Sequence, residues 1–115
     1  MFHLVWQPAA LETYGALKAR AALLLTSRRK SGKAKPSREE GLFKQVHKCI
    51  SLLQDNPRHP GLQTHEFTAI PHPFDGRQKV FEAYAQHRTP GAYRVFWCYG
   101  PGKGEITIIA ITPHP

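Results

Sequence analysis

Near its end the chain carries an arginine inside an apolar run, Tyr93-Arg94-Val95-Phe96-Trp97-Cys98-Tyr99. Aromatic and β-branched residues dominate the run, which reads as a strand. A Gly- and Pro-rich turn over 100–104 follows, then a second apolar strand from Ile106 to Ile111, which runs into Thr112-Pro113-His114-Pro115. A charge among strand residues is expensive to bury unless it is paired or faces a polar site. The hairpin therefore predicts a sheet with one packed face and one working face, with Arg94 on the working one.

The rest of the chain supplies what covers the packed face. Residues 2–6 read as a short strand, and Pro8 suits the first turn of a helix. Leu11, Tyr14, Leu17, Ala21, Leu24 and Leu25 recur at steps close to three and four, which predicts a helix over 8–28. A basic linker, 28–38, is too polar and too interrupted by Gly32 and Pro36 to pack. Ser37 and Glu40 form a capping-box pattern for a second helix. Phe43, Val46, Ile50 and Leu53 supply its apolar face, and Asn56-Pro57 ends it.

After a loop over 58–61, Leu62 to Phe67 is a short or irregular strand, broken by Pro71, Pro73 and Gly76. Lys79 to Arg88 alternates. Phe81, Ala83 and Ala85 fall on one side, and Val80, Glu82, Tyr84, Gln86 and Arg88 on the other. Thr89-Pro90-Gly91 is a turn, and strands over 92–99 and 105–111 complete a meander. The expected fold is one α+β domain spanning 1–115. It has an antiparallel curved sheet of about four strands, with an N-terminal two-helix hairpin on one face.

Composition bears on partners. Lys and Arg number 16 against 8 Asp and Glu, a net charge of +8. Such an excess attracts polyanions: nucleic acid, an anionic membrane surface or an acidic protein. No apolar run is long enough for a membrane helix, and the first residues lack the pattern of a signal peptide. Cys49 and Cys98 read as small core thiols of a reducing cytoplasm. His59, His65, His72, His87 and His114 show no metal-ligand spacing. No metal and no cofactor is expected.

The parity of the turn after Arg88 decides the polar face, because a one-residue slip exchanges the faces of a strand. With an odd count, Arg94 shares its side with Glu82, Gln86 and Arg88. With an even count, His87 joins it instead. The odd count keeps Tyr93, Val95 and Trp97 with Phe81, Ala83 and Ala85, and is adopted here. His114 reaches the same edge. Arginine, carboxylate and histidine together suit cleavage of an RNA phosphodiester without metal. Arginine neutralises the pentacoordinate phosphate, and the other two move protons. Arg77, Lys79, Tyr84, Gln86 and Arg88 are the candidate RNA contacts. A structural Arg94–Glu82 ion pair with a frayed His114 accounts for the same residues equally well.

In these elements and their order the chain resembles the RelE/ParE superfamily of bacterial toxins from type II toxin–antitoxin systems. The resemblance rests on the helical hairpin, Asn56-Pro57-Arg58-His59-Pro60-Gly61-Leu62, the Tyr93-Arg94-Val95-Phe96-Trp97 strand and the last strand with its His114. It implies a cytoplasmic toxin masked by a cognate antitoxin, with operator DNA reached only through that antitoxin and no membrane partner. In the RelE branch the implied activity is endonucleolytic cleavage of messenger RNA, usually on the ribosome, which inhibits translation. In the ParE branch it is non-enzymatic inhibition of DNA gyrase, and a degenerate member would only bind its antitoxin. Arg94 matches the arginine that holds the scissile phosphate, and His114 the histidine that acts as acid or base. Where ribonuclease members carry lysines before the arginine strand, this chain has Tyr84 and Gln86, with Glu82 as the expected second proton carrier. Replacing Arg94 by Ala is expected to abolish toxicity and leave the fold intact.

Overall fold

A computed structural model of the chain describes residues 1–32, 35–87 and 89–113. Strand β1 (His3–Trp6) leads into helix α1 (Pro8–Ser31), then α2 (Arg38–Asp55) and a single 3-10 turn at Pro60–Leu62. Strands β2 (His65–Glu66), β3 (Phe81–Tyr84), β4 (Tyr93–Tyr99) and β5 (Glu105–Pro113) follow. The architecture is α+β with an N-terminal helical hairpin.

Local chemistry sets the helix ends. Pro8 opens α1, and Gly32 closes it in the left-handed region (φ 73°), its N–H reaching the carbonyls of Arg28 and Arg29. The helix thus runs three residues past the expected stop. Arg28 turns back to bond Glu40, with Nη2 at 3.1 Å from Oε1. The first part of the expected linker is therefore ordered helix, stitched to α2; Lys33 and Ala34 lie outside the described residues. At the start of α2, Ser37 and Glu40 cap each other reciprocally.

The sheet has five strands in the order β1-β5-β4-β3-β2. It is mixed, whereas the sequence predicts about four antiparallel strands. β1 runs parallel to β5, with His3 opposite Glu105 and Trp6 opposite Ile108. The β2–β3, β3–β4 and β4–β5 pairs are antiparallel. β1 can be parallel because the whole helical hairpin intervenes and carries the chain back across the sheet.

The core lies between the hairpin and one face of the sheet. Val46, Cys49, Ile50 and Leu53 of α2 meet Ala83, Val95, Trp97, Ile106, Ile108 and Ile111. Each fully buried aliphatic side chain stabilises by about 1.5–3 kcal/mol. A bulge sets which isoleucines take part. Phe96 stands opposite Ala110 but Trp97 opposite Ile108, so Ile109 has no counterpart on β4. The extra residue turns Ile106, Ile108 and Ile111 all inward, which strict alternation forbids.

The opposite face is only partly open. Phe67 packs on Phe96 with ring centroids 4.7 Å apart, and its N–H bonds the Val80 carbonyl. His72 is buried: its Nδ1 accepts from the N–H groups of Phe74 and Asp75, so its Nε2–H donates to the Tyr99 carbonyl at 3.0 Å. The segment between β2 and β3 is thereby pinned over the Phe96–Tyr99 end of β4. Val80, expected on the polar side, lies buried under this cover.

Candidate functional site

Where that cover stops, four polar and aromatic side chains converge. β3 pairs with β4 so that Tyr84 stands opposite Arg94 and Glu82 opposite Phe96. Arg94 and Glu82 therefore share a face and meet on the diagonal. Arg94 Nη1 donates to Glu82 Oε1 at 3.1 Å, and the guanidinium carbon lies 3.9 Å from the centroid of the Tyr84 ring. A guanidinium over an aromatic face is held electrostatically and in a fixed plane.

The fourth member is His65, to which the sequence alone gives no role. β2 places it opposite Glu82, and its Nε2 bonds the same Oε1 that receives Arg94. Its Nδ1 lies 3.2 Å from the Gln63 carbonyl, and its ring meets Tyr84 edge-on at 5.6 Å. The sequence held only one weak signal, the short strand over 62–67 that contains it.

Exposure differs sharply along this chain of contacts. The side chains of Glu82 and Arg94 are 5% and 12% exposed, while that of His65 is 49% exposed. The carboxylate sits at the bottom, the arginine beside it, and the imidazole at the surface. Glu82 Oε2 and Arg94 Nε are buried and have no hydrogen-bond partner. A buried carboxylate held by a cation is tolerable, and the two unused polar atoms beside it leave the pair under-satisfied.

The remaining expected site residues are spread out. Gln86 does not share the face of Arg94. The N–H groups of Ala85 and Gln86 both donate to the Tyr93 carbonyl, at 3.1 and 3.2 Å. Two residues against one shift the alternation, and β3 ends at Tyr84 instead of continuing to Arg88. Gln86 instead clamps the sheet to α2, donating to Gln45 Oε1 and accepting from the Tyr93 N–H, both at 3.0 Å. Arg77 is engaged with Asp75, and Lys79 lies 3.8 Å from Glu66. Both precede β3 and make none of the contacts that join Glu82, Arg94 and His65. Arg88 and His114 lie outside the described residues. Phe96, opposite Glu82 on β4, is buried beneath Phe67.

Among the described residues no three His, Cys, Asp or Glu side chains converge as metal ligands do. Burial pushes the thiols of Cys49 and Cys98 up to about 12 and about 11, which leaves them protonated and poor nucleophiles.

The helical hairpin on one face of this five-stranded sheet has the RelE/ParE-type toxin fold. Among solved structures the chain is similar to a YoeB/ParE toxin from Agrobacterium tumefaciens, with a TM-score of 0.60 and 9% identity over 97% of this chain and 98% of that one. It is also similar to a copper-bound mutant toxin from Helicobacter pylori, with a TM-score of 0.53 and 12% identity over 99% of this chain and 96% of that one. At such identities the likeness is one of fold. No protein-family model matches the chain, and no curated protein matches it.

Proposed function

We propose that the chain is the toxin of a toxin–antitoxin pair and a metal-independent endoribonuclease that cleaves messenger RNA on the ribosome. In this reading it acts in the cytoplasm, is masked by a cognate antitoxin, and meets operator DNA only through that antitoxin. The observation that carries the reading is the shared Glu82 oxygen, which ties a half-exposed His65 to the Arg94 guanidinium.

The chemistry follows from those positions. In this step the His65 Nε2–H donates to Glu82, which orients the ring from behind, and Nδ1 turns from the Gln63 carbonyl to take the 2′-hydroxyl proton. The 2′-oxygen attacks phosphorus, and Arg94 neutralises the charge that gathers on the phosphoryl oxygens. The bond to the 5′-oxygen breaks as that oxygen receives a proton, the role assigned to His114. The products are a 2′,3′-cyclic phosphate and a 5′-hydroxyl end. Arg88, Arg77, Lys79, Tyr84 and Gln86 are retained as the secondary RNA contacts of this reading, with Gln86 acting through the Tyr93 backbone that it holds.

The test is to add the purified chain to translating ribosomes on a defined messenger and map the new 5′ ends. The reading expects 5′-hydroxyl ends inside the translated region, and a rate about 10²–10⁴-fold lower for His65→Gln. Unchanged cleavage by both His65→Gln and Arg94→Lys overturns the site.

A second reading draws on the same geometry. Arg94 is largely enclosed by Glu82 and Tyr84, as a structural ion pair is. A non-enzymatic protein of this fold, a DNA gyrase inhibitor or one that only binds its antitoxin, fits that enclosure. Inhibition of supercoiling by the purified chain, with messenger left intact, selects the gyrase branch.

A further inference from the structure

Helix α1 is apolar on two sides. Its inner side, with Ala10 and Ala21 buried and Tyr14 and Leu17 packed against the core, meets α2 and the sheet. Its outer side carries a second apolar row: Leu11, Gly15, Ala19 and Leu23 follow one another at steps of four and are all exposed. Leu11 is 54% and Leu23 62% exposed, among the most exposed large apolar side chains described. At the rise of an α-helix the row is about 18 Å long. Rows at steps of four are the ridges that pack into grooves of a second helix. Open space surrounds the Cβ position of Gly15, so a partner backbone can approach there. A shallow groove lined by Ala9, Glu12, Thr13, Ala16 and Leu17 runs alongside.

The charges around the ridge are one-sided. Lys18 borders it on one flank and Arg20 on the other, with Arg29 and Lys30 at its C-terminal end. All four are exposed, and none forms an ion pair among the described residues. Glu12 is the single acid of the helix. We infer that this face docks an amphipathic helix of a protein partner, with Leu and Ala along its contact stripe and Glu or Asp on both flanks. A second copy of the chain fits badly: it would oppose Lys18 and Arg20 to themselves on a molecule of net charge +8. A nucleic acid would use the cations but has no use for Leu11 and Leu23. The inference is independent of whether Arg94 takes part in RNA cleavage.

The test uses the full chain and two labelled synthetic peptides of identical composition, Leu, Ala and Glu. One has its Leu in a single helical stripe, and the other has the same residues scrambled. Fluorescence anisotropy should give saturable binding of the striped peptide, with the scrambled one at least about tenfold weaker. Leu11→Glu with Leu23→Glu should weaken the striped peptide by about tenfold or more. Lys18→Glu with Arg20→Glu should weaken it and flatten its salt dependence. Circular dichroism checks each variant; both leucines are exposed, so the fold should survive. Equal binding of the two peptides, or indifference to the leucine changes, overturns the inference. So does a dimer in sedimentation that Leu23→Glu abolishes, which would give the ridge to a second copy. Single-stranded RNA that competes only when Leu11 and Leu23 are intact would overturn it too.

Discussion

Arg94 on β4 and Glu82 on β3 are diagonal neighbours, and among the described residues the 3.1 Å bond between them is the sole tie from the guanidinium to a carboxylate. Arg94→Ala would leave the Glu82 charge buried beside a half-exposed histidine. Stranding one partner of a buried pair costs about 3–5 kcal/mol. The structure thus alters the expectation that Arg94→Ala leaves the fold untouched. Urea unfolding should show that loss, and adding Glu82→Gln to Arg94→Ala should recover part of it. Strict additivity in the double-mutant cycle would mean that the two side chains are not coupled.

The two thiols give a simple chemical test. Cys49 and Cys98 are buried, and burial holds both in the protonated form well above neutral pH. A thiol reagent at pH 8 should therefore react with neither in the native chain and with both in denaturant. Fast labelling of one thiol under native conditions would show that its surroundings open.

Acid should loosen the helical hairpin first. The Ser37 backbone N–H bonds the Glu40 carboxylate, and Arg28 sits beside it; together they lower its pKa. A carboxyl lowered in the folded state adds stability above its ordinary value, and that stability is lost as pH falls through the folded value. Melting temperature should thus decline as pH drops below the usual glutamate range. Glu40→Gln should start lower at neutral pH and show a shallower decline there. A parallel decline in both proteins would assign the acid sensitivity elsewhere.

Two leucines one helix apart should behave in opposite ways. Leu53 is fully buried in α2, and Leu53→Ala should cost about 2–5 kcal/mol. Leu23 stands out from α1, and Leu23→Ala should change stability by no more than about 0.5 kcal/mol. Chemical denaturation of the two variants decides it. A large loss at Leu23 would mean that the outer row of α1 packs within the chain.

Patterns that lie within one element were legible in the sequence. The Ser37–Glu40 box and the inward set of α2 both follow from local periodicity. Features made by two segments were not. A four-residue run such as His3–Trp6 carries no mark of its partner strand, so its parallel pairing with β5 stayed hidden. The two bulges, at Ile109 and at Ala85–Gln86, break an alternation that the residue pattern continues without interruption. His65 has no apolar or charged neighbours in a telling pattern; only the register of a two-residue strand brings it to Glu82. An assembly of this kind is tertiary in origin, and single-segment reading finds the strand that bears the arginine before the histidine that joins it.

The pairing of β1 with β5 also has a kinetic meaning. Roughly a hundred positions separate His3 from Glu105, so this contact closes almost the largest loop the chain allows and tends to form late. At about 5–20 residues per second of synthesis, the first strand waits on the order of ten seconds for its partner. The same late strand flanks Arg94, which stands opposite Thr112. A nascent chain therefore cannot finish the framework around its arginine until β5, made after every other strand described, has emerged to pair with β4.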